Sequence, residues 1–494
     1  MANEPTSPSR DSAQGQFFAR PMYAVQVDGW PPDLVYPPKA LEQDVAAPPG
    51  ARLRMWEIPV GEARRVPPVG ATVLDTGSFS LRNSGNRTLM APKRSWKASV
   101  EHDEFAEMDT LNLKSMYNDA SQMREALAWG LFDEAHVPAP RHTYARLVIN
   151  GRFLGLFSVI EQVDKPFLSE RFEGKPMGNL YKVYVGALGP GTLEHRVGPG
   201  GDDGGKQYQT PGGGDDQTYR LDKSYSDRPD AKSYEDLAQL VRVINGVGLA
   251  GGPEKFATDQ FAESVHGVLA VEPFLRWAGL NVLMGAWDNY FATPANYFLY
   301  NATRSPGSDD VVGEPYFSFI PWDYDNTFGI DYFGAPIWQY VDLLDWPAST
   351  GAYWAANHHP GRQSRIPLVQ NLLANTQFRR YYLDHIEHLL DSAVNPEDIA
   401  ARIGLGAHPA LWGRVSPGAY LESDTPYGPP FTGRQFTNHE VYLGGFVQQE
   451  LRHGNAFLYG ITNYVRMRFD SAREQLTALR KQDPAGSSGA RFGG

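Results

Sequence analysis

The stretch RLVINGRFLGLFSVIEQV, residues 146–163, decides the fold. Two runs of apolar and β-branched residues flank Asn150-Gly151, a pair that tolerates the positive φ angles of a type I′ turn. The sequence therefore predicts a β-hairpin. Its second strand is apolar on both faces, which is typical of a strand covered on both sides. We expect this strand to lie at the centre of a sheet.

A strand and a helix are predicted on the N-terminal side of this hairpin. In SWKASVE, residues 95–101, apolar and polar residues alternate as in a half-buried strand. The segment NDASQMREALAWGLFDEA, residues 118–135, has apolar residues at helical spacing. Asp119 followed by Gln122 resembles a capping box at its start.

Helices dominate on the C-terminal side. In YEDLAQLVRVINGV, residues 234–247, the apolar residues share one helical face. After about residue 360 the chain looks mostly helical. Strands early and helices late predict an α+β protein of two lobes.

Composition divides the chain into four regions. Residues 1–45 are rich in Pro, Ser and Ala and are predicted to be a tail or a loosely docked arm. Residues 46–165 form the strand-rich lobe and residues 166–480 the helical lobe, and residues 481–494 are a flexible tail.

The helical lobe carries a Gly-rich segment, residues 184–235, with the pairs Asp202-Asp203 and Asp215-Asp216. A solvated loop is favoured over a calcium site, because the acidic spacing does not repeat as in a calcium loop.

Overall composition excludes several classes of protein. The 494 residues are 41% hydrophobic, which allows a large core. The formal charge of −12 argues against a general nucleic-acid binder, and the absence of cysteine excludes disulfides and thiol catalysis. The start of the chain lacks the basic and apolar parts of a secretion signal. The most apolar stretch, residues 265–287, is interrupted by charged residues and is predicted to be a buried helix, not a membrane span.

Two carboxylates follow an apolar run in FIPWDYDNTFG, residues 319–329. Residues two apart on a strand point to the same side, so Asp323 and Asp325 would lie about 7 Å apart. That distance is short enough for both to serve one hydrated metal cluster. A turn or helix-capping role for each is the alternative.

A second acidic position lies upstream in GAWDNYFATPANYFLY, residues 285–300. Asp288 ends a predicted helix, and Asn296 begins a predicted strand. The order of these elements resembles kinase catalytic machinery, in which one Asp orients the acceptor hydroxyl while an Asn and a second Asp hold magnesium. A turn role for Asp288 is the alternative, although a carboxylate at a helix C-terminus opposes the helix dipole.

Candidate phosphate ligands lie near the early strand. Lys97 projects from this strand on the face opposite Trp96. RNSGNRT, residues 82–88, begins with Arg82 and can present backbone N–H groups and guanidinium groups to phosphate. The alternative for each of these side chains is an ordinary solvated position.

Several segments together resemble one family, the CotH kinase family, named for the spore-coat protein H of endospore formers. The family pattern is R-x-R-G-N-S/T, P-K-K-S-Y-K, L-N-x-N…D-x-S-x-M-R-E-x-L-A, G-V-P-A-P-R, I-N-G-x-x-x-G-L-Y-x-x-x-E-Q-V-D, G-N-L-Y-K and I-P-W-D-x-D-x-T-F-G. The similar stretches here, in the same order over residues 80–330, are RNSGNRT, PKRSWK, LNLKSMYNDASQMREALA, HVPAPR, INGRFLGLFSVIEQVD, GNLYK, WDNYFATPANYFLY and IPWDYDNTFG.

The resemblance implies an atypical protein kinase with a protein-kinase-like, two-lobed fold. ATP would bind between the lobes with Mg²⁺ or Mn²⁺, and Ser/Thr residues of a protein would accept the phosphate. By the same resemblance, Asp288 matches the catalytic Asp. Asn296 and Asp323 match the metal ligands, and Asp325 supports them.

The resemblance also implies nucleotide-binding residues. Lys97 matches the phosphate-binding Lys, Arg82 stands in the phosphate loop, and Glu161 stands at the family's E-Q-V-D between the lobes. Glu125, on the early helix, is the residue that we pair with Lys97. The alternatives are a surface position for Glu125 and a strand-end cap for Glu161. The loop itself departs from the family pattern, because its second Arg and its Gly are displaced.

Three other functions stay open at this point. A D-x-D motif also occurs in metal-dependent nucleotide-sugar transferases, although these normally place alternating β–α units before it. A catalytically silent binding, adhesion or coat protein would use the same scaffold. ATP could also serve for transfer of a group other than phosphoryl. The acidic balance favours basic polypeptides as partners. The sequence assigns neither a compartment nor an oligomeric state.

Overall fold

The computed structural model describes most of the chain. The described residues are 2–35, 37, 39–58, 72–85, 89, 91, 93–100, 105–117, 119, 121–198, 204–209, 217–331, 338–346, 365–404, 411–421, 446–451 and 454–482. The Asp pairs at 202–203 and 215–216 lie outside them, as do residues 483–494. The protein has a mixed α+β architecture, with a strand-rich N-terminal region and a helical C-terminal part.

The strands and helices are numbered in chain order. The strands are β1 Tyr23–Asp28, β2 Val45–Ala46, β3 Arg52–Glu57, β4 Thr72–Thr76, β5 Phe79–Ser84, β6 Ser95–Val100, β7 Thr110–Lys114, β8 His142–Ile149, β9 Arg152–Ile160, β10 Asn179–Val183, β11 Tyr219–Ser224, β12 Tyr297–Asn301, β13 Phe317–Pro321, β14 Ile330–Asp331, β15 Phe446–Leu451 and β16 Gly454–Tyr459. The helices are α1 Ala13–Ala19, α2 Arg124–Glu134, α3 Lys165–Arg171, α4 Glu235–Ile244, α5 Asp259–His266, α6 Val271–Met284, α7 Pro367–Ala374, α8 Thr376–Asp391, α9 Pro396–Ile403, α10 Leu411–Leu421 and α11 Ile461–Gln482.

The predicted hairpin lies at the centre of the largest sheet. The strand order is β2-β5-β6-β7-β9-β8-β1-β3-β4, so β9 has neighbours on both sides, as predicted. Asn150 and Gly151 have φ angles of 49° and 74°, which are the positive values that a type I′ turn needs. The sheet curls, because side chains of β1, β3, β5, β6, β7 and β8 meet in one apolar core inside it.

The first 45 residues differ from the predicted tail or arm. Strand β1 pairs in parallel with β8, with Tyr23 opposite Ala145, and antiparallel with β3. Tyr23, Val25 and Val27 are buried in the core of the curled sheet. The Pro- and Ser-rich composition on either side conceals this short strand, which is therefore an internal part of the sheet.

Helix α2 packs on the outer face of the sheet and begins later than the sequence suggests. Asp119 accepts hydrogen bonds from the N–H groups of Ser121, Met123 and Arg124 at 3.0, 3.1 and 3.0 Å. Its carboxylate also pairs with the Arg124 guanidinium at 2.5 Å, fully buried. Asp119 therefore binds N–H groups at the start of the helix, but the predicted capping box with Gln122 is not its N-terminus. The N-cap residue is Met123, the first helical residue is Arg124, and Glu125 lies in the first turn.

The C-terminal part contains a second, larger core and two small sheets. Their strand orders are β11-β10-β12-β13 and β14-β16-β15. The predicted buried helix is confirmed as α6, which packs against α8 and β13. The hairpin of β15 and β16 differs from the mostly helical end that the sequence suggests. Within the described residues, no helix combines the length and apolarity that crossing a membrane would need.

Candidate active site

Strand pairing brings Asn296 and Asp323 together. Strands β12 and β13 are antiparallel, with Tyr297 opposite Pro321. Just beyond this pair, the Trp322 N–H donates to the Asn296 carbonyl oxygen at 3.1 Å. Asn296 and Asp323 both have positive φ angles, 54° and 65°. Such angles are uncommon for residues other than Gly, and they turn both side chains away from the regular strand directions.

Asp288 joins the same site from the end of α6. Its two carboxylate oxygens accept hydrogen bonds from Thr293 Oγ1 at 2.8 Å and from Asn326 Nδ2 at 3.0 Å. Asn296 Nδ2 donates to the backbone oxygen of Asp288 at 2.8 Å. The three segments that carry Asp288, Asn296 and Asp323 are therefore linked directly, and the orientation of the Asp288 carboxylate is fixed.

The four acidic and amide side chains of this site share one exposure pattern. All four side chains are half-buried: Asp288, Asn296, Asp323 and Asp325. The residues immediately before and after each of them are buried. Tyr324, between the two aspartates, is anchored in the core by hydrogen bonds with Trp277 at 2.6 Å and Asn281 at 2.9 Å. A rigid apolar wall thus holds the polar groups at its solvent edge.

A lysine that sequence reasoning missed lies beside these carboxylates. Lys114, the last residue of β7, forms an ion pair with Asp323. Burial alone would lower the pKa of Lys114, but Asp323, Glu125 and Asp325 together raise it above its ordinary value. In the sequence Lys114 resembles any strand-end lysine, because its partner lies 209 positions away.

Burial and like charges raise the pKa of two of the carboxyl groups. Burial raises the pKa of Glu125 to about 7, with Lys114 opposing and Asp323 adding to this rise. Burial, Asp323 and Glu125 raise the pKa of Asp325 well above its ordinary value. The site therefore carries more negative charge than one lysine can balance, a condition common at catalytic and cation-binding sites.

The predicted pairing of Lys97 with Glu125 is wrong. Lys97 Nζ donates instead to Gln162 Oε1 at 3.1 Å. The lysine beside Glu125 is Lys114. Glu125 lies in the first turn of α2, close to the end of β7, whereas Lys97 lies one strand further along the sheet on β6.

The predicted phosphate loop is partly a strand. Arg82 belongs to β5, lies opposite Lys97 on β6, and forms an ion pair with Asp44 at 3.6 Å. Asn86 and Arg87 lie outside the described residues. Burial and the Arg82 charge lower the pKa of Lys97, so these two cations face the same region. Their contact with phosphate stays a prediction.

Glu161 differs from the expected ligand position. Its side chain is buried, and Arg141 and Arg171 each approach its oxygens to 2.6 Å. Burial would raise the pKa of Glu161, but the two arginines lower it below its ordinary value. This carboxylate is fully engaged by the protein, so it offers no free oxygen to a nucleotide.

A second lysine that sequence reasoning missed is Lys182 on β10. Its ammonium lies 5.2–5.3 Å from the ring centroids of Tyr184, Phe298 and Trp322. Burial lowers its pKa to about 8, and the charges of Arg220, Lys114 and Lys97 add to this decrease. Lys182 belongs to the stretch GNLYK. In the sequence this lysine resembles any other strand residue, because the rings of Phe298 and Trp322 come from distant segments.

Comparison with known proteins identifies the family. A family model described as CotH kinase protein matches residues 81–449, well over half of the chain. The chain belongs to the CotH kinase family. The match includes strands β6 to β14, helix α2 and the whole of the site around Asp323.

Curated relatives within the family are distant in sequence. Invasin CotH2 of Rhizopus delemar is 22% identical over 84% of this chain and 62% of that protein. Invasin CotH3 of the same organism is 24% identical over 64% of this chain and 46% of that protein. The inner spore coat protein H of Bacillus subtilis is 23% identical over 66% of this chain and 74% of that protein. The chain thus spans less than two thirds of the length of the two invasins.

Membership of the CotH kinase family implies a kinase that uses ATP. The donor atoms at the site fit a hard divalent cation, because Asp288, Asp323 and Asp325 offer only oxygen. Within the described residues, no three carboxylate or His side chains converge closely enough to cage an ion by themselves. This arrangement suits Mg²⁺, which usually takes one or two carboxylates, several waters and the phosphates of a nucleotide.

Proposed function

We propose that this chain is an atypical protein kinase that transfers the γ-phosphate of ATP to Ser or Thr hydroxyls of a protein. The observation that carries the proposal is the convergence of Asp288, Asn296 and Asp323 from three separate segments on one solvent edge. These are the residue types that orient an acceptor hydroxyl and hold a metal–nucleotide complex in phosphoryl transfer.

The acceptor role falls to Asp288. Thr293 and Asn326 each donate to one of its oxygens, so the carboxylate keeps a fixed direction. A carboxylate oxygen can accept more than one hydrogen bond, which allows a substrate hydroxyl to join these donors. The acceptor oxygen forms a bond to the γ-phosphorus, and the bond to the bridging oxygen of ADP breaks. The acceptor proton passes to Asp288 and then to solvent.

The nucleotide side of the site is supported by cations on two sheets. Lys97 and Lys182 face one region. Neighbouring cations contribute to the lowered pKa of each lysine, and Lys97 is one of the cations that lower the pKa of Lys182. A bound polyphosphate would satisfy these charges. Asn296, Asp323 and Asp325 would hold a Mg²⁺ or Mn²⁺ ion, which neutralises phosphate charge during transfer. The curled sheet and the helical part would act as the two lobes of a kinase-like fold.

The substrate is expected to be a polypeptide of basic character, because the chain carries a net charge of −12.

The test combines γ-labelled ATP, Mg²⁺ or Mn²⁺ and a panel of proteins that includes the chain itself, with intact-mass readout. We expect one or more phosphoryl additions on Ser or Thr. Asp288→Asn is the matched variant, because it keeps the size of the side chain and removes the charge. Transfer at the wild-type rate by this variant would contradict the proposal, and transfer of AMP would replace it with a different reaction.

A further inference from the structure

The ion pair between Lys114 and Asp323 places a protein cation inside the acidic site. Lys114 reaches Asp323 from the end of β7, so the contact joins the curled sheet to the strand end after β13. The Lys114 ammonium also lies 5.3 Å from the centre of the Trp322 ring. These contacts on two sides hold the ammonium at the carboxylates instead of leaving it in solvent.

Glu125 supplies a second, independent sign that this region is built around cations. Its side chain is 3% exposed, and within the described part of the chain its Oε1 atom has no hydrogen-bond partner of good geometry, while the Trp129 side chain and the Tyr324 backbone lie close enough to lower the Glu125 pKa. Both Lys114 and Asp323 lie within electrostatic reach of it. A buried carboxylate oxygen with no donor is costly unless positive charge lies nearby.

The occupied oxygen of Asp323 limits what else can bind. An Asp that serves two metal ions gives one oxygen to each, because such ions lie about 3.5–4 Å apart. Oδ1 of Asp323 already contacts the Lys114 ammonium, so a metal ion on this oxygen would lie next to a positive charge. A second divalent ion at the position of the ammonium would meet an unscreened positive charge.

We propose that Lys114 is a resident cation that takes the place of one metal ion, so that the nucleotide complex of this chain holds one divalent ion and not two. This inference rests on the proposed function, because it concerns the metal–nucleotide complex of the same site. Lys114 is a positioning residue for Asp323 and is not itself assigned a contact with the reacting atoms.

The number of Mn²⁺ ions in the nucleotide complex tests the proposal. Wild type and Lys114→Asn are each saturated with a non-hydrolysable ATP analogue and titrated with Mn²⁺, and free Mn²⁺ is measured by electron paramagnetic resonance. We expect one bound Mn²⁺ per complex in wild type and two in Lys114→Asn. Equal numbers in the two proteins, or two ions in wild type, would overturn the proposal.

Two control variants separate the position of the charge from its amount. Lys114→Arg keeps the charge at Asp323 and should bind one Mn²⁺. Lys223→Asn removes the same charge from an exposed lysine on β11 that has no role in the proposed site, and it should also bind one. Two ions in either control would count against the proposal.

Lys114→Asn leaves several carboxylates without their cation and is at risk of not folding. The double variant Lys114→Asn/Glu125→Gln removes one charge of each sign and should fold and bind two Mn²⁺ ions. One ion in this variant would overturn the proposal. If wild type transfers phosphate but binds the same number of Mn²⁺ ions as the Lys114 variants, only this inference is wrong. If wild type binds neither the ATP analogue nor Mn²⁺ and transfers no phosphate, the proposed function is wrong as well.

Discussion

Asp323 and Asp325 stand one residue apart, yet their charges have opposite consequences for stability. Lys114 forms an ion pair with Asp323. The pKa of Asp325 is raised by burial and by the charges of Asp323 and Glu125. In buffer that contains a chelator, we expect Asp323→Asn to lower the free energy of unfolding and Asp325→Asn to raise it.

The magnitudes follow from the surroundings of each carboxylate. The side chains of Lys114 and Asp323 are 21% and 33% exposed, so water partly screens their ion pair. A charge-assisted hydrogen bond contributes about 1.5–3 kcal/mol, and screening reduces the expected loss for Asp323→Asn to about 1–2 kcal/mol. Asp325→Asn removes a charge that burial, Asp323 and Glu125 all disfavour, so it should raise the free energy of unfolding at pH 7.

The dependence on pH gives this prediction a second test. The pKa of Asp325 is higher in the folded than in the unfolded protein, so the folded state binds the proton first as the pH falls. Wild type therefore gains stability relative to Asp325→Asn as the pH decreases from 7 toward the unfolded-state pKa of the carboxyl group. Denaturant unfolding at pH 7 and pH 5 measures both effects. A shift of the two variants in the same direction at pH 7, or an advantage of Asp325→Asn that grows at pH 5, would refute the reasoning.

Three further predictions concern binding and transfer. Asp288→Asn should abolish phosphoryl transfer and leave ATP affinity within a few-fold of wild type by calorimetry, since its role is at the acceptor hydroxyl; a large loss of affinity would contradict that role. Lys182→Met should weaken ATP binding about ten- to a hundredfold through loss of a charge-assisted contact, and wild-type affinity should decrease above pH 8 more steeply than that of the variant, because the Lys182 ammonium has a pKa of about 8. Removal of divalent ions by a chelator should weaken ATP binding to wild type, and equal affinity with and without Mg²⁺ would show that the acidic residues hold no metal.

The elements that the sequence predicts correctly depend on short-range patterns. The hairpin follows from an Asn-Gly turn between two apolar runs, and α4 and α6 follow from helical spacing. The acidic positions could be found because Asp288, Asn296 and Asp323 all lie within 36 residues at the ends of recognisable elements. Their proximity in space then follows from the pairing of β12 with β13.

The elements that the sequence does not predict depend on long-range contacts. Strand β1 pairs with β8 more than a hundred residues away, and its flanking residues have the composition of a tail. Lys114 and Asp323 are 209 positions apart, so nothing near either residue identifies the pair. The partner of Glu125 depends on where α2 begins. The Asp119 side chain stabilises that start by accepting hydrogen bonds from the N–H groups of Ser121, Met123 and the first helical residue, Arg124.

The most direct test of the central claim compares ATP labelled at the α- and the γ-phosphate, incubated with the chain, Mg²⁺ and candidate protein substrates. Phosphoryl transfer predicts label on protein Ser or Thr from γ-labelled ATP only, and no label on protein with Asp288→Asn. Label from α-labelled ATP, or an unmodified protein pool despite nucleotide binding, would contradict the assignment of this site as a protein kinase.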